Sequence, residues 1–320
     1  MNNHILSGTL RWLTMLILLL VAAPSFGQGV VVTRPQRKTE TKPLEPMKPT
    51  EPKQKKEDKK KTGVTKPLKP SRIIPSHPAI VHSQQWAIDR ILGNMVRVEG
   101  GQLMIGVANA ATEGSSEDNV PAHEVSLSPY YLGKYEVTEE EWQLIMGSNP
   151  SDKSNGIMVS NSCPVDNVSW DECQEFVEKL AQLTGKPFRL PTEAEWEFTA
   201  RGGVATDFLY AGTADIERCG WFVGNSSRVK HPVGQKEPNQ LGLYDMTGNV
   251  REWCQDYYEH DYYAHSPSLN PQGPEEGSRR IIRGGSFNNQ DEACAVTYRG
   301  YSSPDNKNKF TGLRLAYTAE

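Results

Sequence analysis

An α+β domain with about three main helices, many short strands and long irregular loops is the fold class that the sequence predicts. Three observations lead there. A Ser/Thr-x-x-Glu motif occurs ahead of three separate stretches with apolar residues at helical spacing, and such a capping box satisfies otherwise unpaired amide donors at a helix start. The strand candidates are short and bounded by turn residues. Most of what remains is punctuated by Gly, Asn and Pro, with no internal repeat of fixed period, which argues against solenoids and propellers.

Taken in order, residues 95–98 and 102–105 read as a hairpin turning through Glu99-Gly100-Gly101. Residues 125–135 read as a strand pair leading into the first helix. Thr138 and Glu141 cap that helix, Trp142, Ile145 and Met146 point inward, and Gly147 ends it. Ser169 and Glu172 open the second, with Cys173, Phe176, Val177 and Leu180 on one face and Gly185 as its stop. Thr192 and Glu195 open the third, which is expected to run from Glu193 to about Arg201 and to break at Gly202-Gly203. Further strands are expected over 221–233, 279–283, 295–298 and 313–317.

The first quarter reads differently. Residues 12–23 form an apolar and small-residue run behind Arg11, followed by Ser25-Phe26-Gly27, the layout of a cleavable export signal over residues 1–27. The run is too short to span a bilayer comfortably. No cysteine follows the expected cut, so the mature chain is expected to be periplasmic or extracellular, without a lipid anchor or a transmembrane segment. Residues 28–82 are rich in Pro and Lys and poor in large apolar residues, which predicts a solvated, disordered linker. Positions 34–72 hold 14 basic and 5 acidic residues, which leaves about −14 for residues 73–320. A basic leash therefore precedes an acidic domain over 83–320. The export signal and that acidity exclude nucleic acid as a partner.

Five cysteines in an exported chain imply at least one disulfide and one odd thiol. Spacing leaves the pairing of Cys163, Cys173 and Cys219 open. No nucleophile elbow, phosphate loop, zincin helix or paired metal histidines occur. The tyrosine pairs at 257–258 and 262–263, with Asp256, His260 and Asp261, carry the residue types of a sugar or peptide cleft. Half-buried loop tyrosines are the commoner use of such rings.

Several motifs in one order carry a resemblance: Lys134-Tyr135-Glu136-Val137-Thr138, Pro164-Val165-Asp166-Asn167-Val168-Ser169-Trp170, Arg189-Leu190-Pro191-Thr192-Glu193-Ala194-Glu195-Trp196-Glu197, Gly242-Leu243-Tyr244-Asp245-Met246-Thr247-Gly248-Asn249-Val250-Arg251-Glu252-Trp253, Arg283-Gly284-Gly285-Ser286-Phe287 and Gly312-Leu313-Arg314. The chain resembles the formylglycine-generating enzymes, the sulfatase-modifying factor family, over about residues 94–317. The resemblance implies an irregular fold similar to an elaborated C-type lectin module. It also implies a copper-dependent oxidation of a sulfatase cysteine by two cysteines placed just after Arg-Gly-Gly-Ser.

This chain departs from that pattern at the chemistry. Asn288 stands at the first cysteine position, Cys294 is the lone sulfur nearby, Phe310 replaces a usual Asn, and Arg251 interrupts Trp-Glu-Trp. A soft Cu(I) ion needs thiolates, so copper is not expected; Cys294 and Ser286 would be catalytic only in a divergent oxidase. The resemblance further implies one structural calcium held by Asp245, Gly248, Val250 and Glu252, a chemistry that suits hard oxygen donors. It also implies a Cys254–Cys294 disulfide, and a ligand cleft drawn from Arg251, Asn288, Asn289, Arg299 and Phe310. The expected function is an exported, non-catalytic module that binds an envelope protein or glycan, with a sulfatase as a further candidate partner. The alternatives are a divergent formylglycine-generating oxidase and a structural subunit of an envelope or secretion complex.

Overall fold

The computed structural model describes residues 82–109, 116–152, 160–203, 206 and 208–319. The expected signal over 1–27 and nearly all of the linker over 28–82 lie outside them. The helices are α1 (Gln84–Gly93), α2 (Glu139–Met146), α3 (Trp170–Thr184), α4 (Glu193–Ala200) and the single turn α5 (Ile216–Cys219). The strands are β1 (Met95–Val98), β2 (Gly101–Ile105), β3 (His123–Leu127), β4 (Tyr130–Gly133), β5 (Phe188–Arg189), β6 (Arg251–Tyr257), β7 (Arg280–Arg283), β8 (Gly300–Ser302), β9 (Thr311–Leu313) and β10 (Ala316–Thr318). The expected mixture of helices, short strands and loops is what the chain adopts.

All three capping boxes form, at Thr138/Glu141, Ser169/Glu172 and Thr192/Glu195. Gly147 and Gly185 take the left-handed conformation that ends α2 and α3. The sequence analysis missed α1, although Ser83 caps it by accepting from the Trp86 amide, and Ala87, Ile88 and Ile91 lie buried at helical spacing.

Strand pairing departs from expectation. Strands β1 and β2 do not form a hairpin: β1 pairs with β4, and β2 pairs with β3. Gly100 and Gly101, both at positive φ, turn the chain out of one sheet and into another. A Cβ on Gly100 would collide with the Leu127 carbonyl, so the close approach requires glycine. Strands β3 and β4, separated by only Ser128 and Pro129, are likewise not partners and belong to different sheets. Segment 221–233 forms turns with one isolated bridge, Trp221 to Gly248, instead of a strand. Segment 295–298 is also not a strand; β8 begins just after it. The 313–317 stretch splits at Arg314 into β9 and β10, which belong to different sheets.

The sheets run β1-β4-β10-β5, β2-β3 and β8-β7-β6-β9, with β6 and β9 parallel. Two apolar cores flank them. One packs Trp196 and Phe198 of α4 against Leu103, Ile105, Val125, Tyr130 and Leu132. The other gathers α1, α2 and α3 over Trp253 and Leu313, with Trp142 and Phe176 stacked at 4.9 Å. Consecutive residues of β6 serve different cores, Trp253 the helical one and Cys254 the other, as strand alternation dictates.

Candidate functional site

Long loops stay in place here because buried ions hold them. Arg283, Arg299 and Arg314 are each 3 % exposed or less. Arg283 pairs with Glu197 and donates to the carbonyls of Val296 and Tyr298, both at 2.8 Å. Arg299 forks onto Glu193, Nε to Oε1 at 2.8 Å and Nη2 to Oε2 at 2.9 Å. Arg314 grips Glu252 through Nη2 at 2.7 Å and reaches the carbonyls of Gly133 and Tyr244. These arginines bind backbone carbonyls in loops that have no ladder of their own, which the accounting of buried polar groups requires.

Three of the candidate site residues belong to this framework. Arg299, expected in a ligand cleft, is buried under Tyr258 and Tyr263 and committed to Glu193. Ser286 is buried in a turn, where its Oγ donates to Asn289 Oδ1 at 2.7 Å. Asn289 is likewise structural, since its carbonyl accepts from Val223 at 2.9 Å. The tyrosine pairs follow the commoner use: Tyr262 and Tyr263 are buried, Tyr257 and Tyr258 are half-buried, and Asp256 accepts the Glu193 amide.

Two cleft candidates do meet. Asn288 and Phe310 line an open groove of about 460 Å³ together with Ser227, Arg228, Val229, Phe287 and Lys309. Phe287 and Phe310 form its aromatic floor, their ring centroids 5.4 Å apart. The loop that carries Ser227 to Val229 is tied by His231, which stacks on Trp221 at 3.7 Å and donates through Nε2 to the Ser226 carbonyl at 3.0 Å. Ser227 and Arg228 both sit at positive φ, a costly backbone for residues with a Cβ. Neither Arg228 nor Lys309 has a carboxylate partner among the described residues. Arg251, at the start of β6, is half-buried and also lacks one; burial lowers its pKa. Sequence reading missed Ser227, Arg228, Val229 and Lys309. The signal available was two basic clusters, 228–230 and 307–309, that only the fold makes neighbours.

The calcium set is divided. Asp245 Oδ2 accepts the Gly234 amide at 2.7 Å, but its buried Oδ1 has no partner. Glu252 instead gives both oxygens to Arg314 and one to the Trp196 indole at 2.6 Å. Val250 donates its amide to Glu136 at 2.9 Å. Three buried carboxylates, Glu136, Asp245 and Glu252, thus share one nearby guanidinium, that of Arg314. Burial pushes Asp245 up to about 6, and burial together with Asp245 pushes Glu136 well up. Among the described residues no three carboxylate, thiol or imidazole side chains converge as a metal site. The orphan oxygen and the surplus of acid nevertheless fit a hard cation at Asp245, which Gly248 and Val250 would join through their backbone carbonyls. The neighbouring loop supplies its own cation: Lys230 Nζ lies 2.8 Å from Glu139, 2.7 Å from Asp166 and 3.0 Å from the Pro164 carbonyl.

All five cysteines are buried and none is bridged in this structure. The expected Cys254–Cys294 bridge is not formed, because β6 turns Cys254 into the α4 core while Cys294 joins a separate small cluster. That cluster contains a second sulfur, Cys219, beside Tyr210 and Ile216. The count of one nearby thiol is therefore corrected to two. Burial pushes both thiols up to about 12, so neither is a ready thiolate, and neither lines the groove. An open two-thiolate copper site does not fit these residues.

The fold and motifs define a domain of the formylglycine-generating type. The chain belongs to that family: the sulfatase-modifying factor enzyme 1-like domain matches residues 87–319. It is 29 % identical over 310 residues to a formylglycine-generating enzyme of Streptomyces coelicolor, covering 77 % of this chain and 96 % of that enzyme. It is 33 % identical over 253 residues to the serine/threonine-protein kinase pkn1 of Chlamydia pneumoniae, covering 71 % of this chain but only 38 % of the kinase. Among solved structures it superposes on Treponema denticola variable protein 1 with a TM-score of 0.64 at 33 % identity, covering 70 % of this chain and 95 % of that one.

Proposed function

We propose that this chain is an exported, non-catalytic member of the family that binds an envelope protein or glycan through the groove between Arg228 and Phe310. The observation that supports this most is the groove itself, walled by Arg228, Asn288, Lys309 and Phe310, with every cysteine buried elsewhere. Cations without partners favour a ligand that carries carboxylates, and the aromatic floor gives it an apolar surface. The basic leash is a poor occupant of a basic groove, so the ligand is a separate molecule. Calcium at Asp245 would be structural, since Asp245 does not line the groove.

The test is calorimetric titration of the full chain with a short glutamate-rich peptide and with an oligogalacturonate. Binding of either, weakened in the Arg228→Ala/Lys309→Ala double variant, supports the reading and identifies the ligand class. No binding, or binding that the double variant leaves unchanged, overturns it. A second reading, a divergent oxidase, is favoured by one observation only, the meeting of Cys219 with Cys294.

A further inference from the structure

The small cluster of Tyr210, Ile216, Cys219 and Cys294 contains nothing else that is fully buried. Each cysteine is the last residue of a single helical turn: Cys219 closes α5, and Cys294 closes the 3-10 turn Asp291–Cys294. The loops that carry them are stitched together just beyond. Val223 donates its amide to the Asn289 carbonyl at 2.9 Å, and Ser226 Oγ donates to the Phe287 carbonyl at 2.6 Å. Asn249 ties the same two loops to a third, donating its amide to the Trp221 carbonyl and accepting that of Phe287. Gly285 has φ +71, and a Cβ there would meet the Cys294 sulfur, so the chain presses onto this thiol. Two sulfurs are thus held in one dry compartment between hydrogen-bonded loops.

We propose that Cys219 and Cys294 are joined as a disulfide when the chain folds in an oxidising compartment, stapling the two loops that wall the groove. The oxidant is a disulfide of the glutathione class. One protein thiolate attacks it and releases one glutathione thiol; the second protein thiolate then attacks the mixed disulfide and releases the other. Two protein thiols are oxidised, one glutathione disulfide is reduced to two thiols, and the two protons lost by the protein are taken up by the leaving thiolates. The step belongs to folding rather than to the finished molecule. Once the loops close, burial disfavours both thiolates and keeps the oxidant out. The bridge would enclose the segment that carries β6 and β7, and a crosslink of such a long loop chiefly restricts the unfolded chain. This inference does not depend on what the groove binds.

The experiment refolds the denatured, reduced full chain with oxidised and reduced glutathione, then counts thiols and maps peptides by mass spectrometry. Two of the five thiols should disappear, with one linked peptide pair containing Cys219 and Cys294, reversed by dithiothreitol. The Cys219→Ala variant refolded in parallel should keep Cys294 alkylatable after denaturation. Oxidant added to the reduced, already folded chain should form the bridge at least tenfold more slowly. Five free thiols after oxidative refolding, or a crosslink between any other pair such as Cys254 with Cys294, overturns the proposal. The wild-type map decides the matter even where the variant folds poorly.

Discussion

Asn288 and Cys294 stand six residues apart on one loop and face opposite environments. The Asn288 amide is exposed at the groove, whereas Cys294 is fully buried beside Cys219. The turn that separates them is held by Ser286 and Asn289, whose side chains bond to each other. A polar contact surface therefore occupies the side of the loop that is open to a ligand, and sulfur occupies the side that is closed.

The groove cations give the first prediction. Arg228 and Lys309 touch no carboxylate among the described residues, so removing both should weaken an acidic ligand by roughly 100–10,000-fold, as two charge-assisted contacts of about 1.5–3 kcal/mol each imply. The melting temperature should stay within about 2 °C of wild type, because Arg228 is exposed and Lys309 only half-buried, and surface substitutions rarely exceed ~0.5 kcal/mol. Titration at two salt concentrations checks this: wild-type affinity should fall with salt more steeply than that of the double variant.

Arg299 gives the second. Its guanidinium is 3 % exposed and forked onto Glu193. Arg299→Ala strands a buried carboxylate and should cost about 3–5 kcal/mol in denaturant unfolding. Adding Glu193→Ala should recover part of that loss, since the two residues share one interaction. A loss below about 1 kcal/mol for the single variant would place Arg299 outside the framework of the domain.

Asp245 gives the third, through pH. Burial raises its folded-state pKa to about 6, above the ordinary value near 3.9. Its contribution to stability is then fully present below about pH 4 and is lost as pH rises through about 6. In chelator, Asp245→Asn should melt higher than wild type above pH 6 and lose that advantage near pH 4. Millimolar calcium should raise the wild-type melting temperature above pH 6 and leave the variant unmoved. Equal melting curves with calcium and with chelator would remove the cation from Asp245.

Much of the frame was legible because its signals are local. Thr138, Ser169 and Thr192 each announce a helix within four residues, and the glycines at 147 and 185 close two of them. The family motifs were legible as well, and the structure shows what they do: Arg283, Arg299 and Arg314 bind loop carbonyls in the interior. Pairing was not legible, because β2 beside β1 in sequence says nothing of which sheet each joins. Gly100 fits a tight hairpin and a crossing between sheets equally well. The same limit hid the site. Arg228 and Lys309 are 81 positions apart, as Cys219 and Cys294 are 75 apart, and only the closed chain makes each pair neighbours. Arg299 stayed open between two roles for the converse reason, since an arginine near a motif looks alike whether it faces a ligand or a buried glutamate.

The most direct measurement is incubation of the full chain with a Cys-x-Pro-x-Arg sulfatase peptide, Cu(I) and oxygen, followed by mass spectrometry of the peptide. With both nearby thiols sealed behind the loop, the peptide should keep its cysteine over hours, and Cys294→Ser should behave like wild type. Peptide converted from thiol to aldehyde by the wild-type chain, and not by Cys294→Ser, would contradict a binding module and make this protein an oxidase.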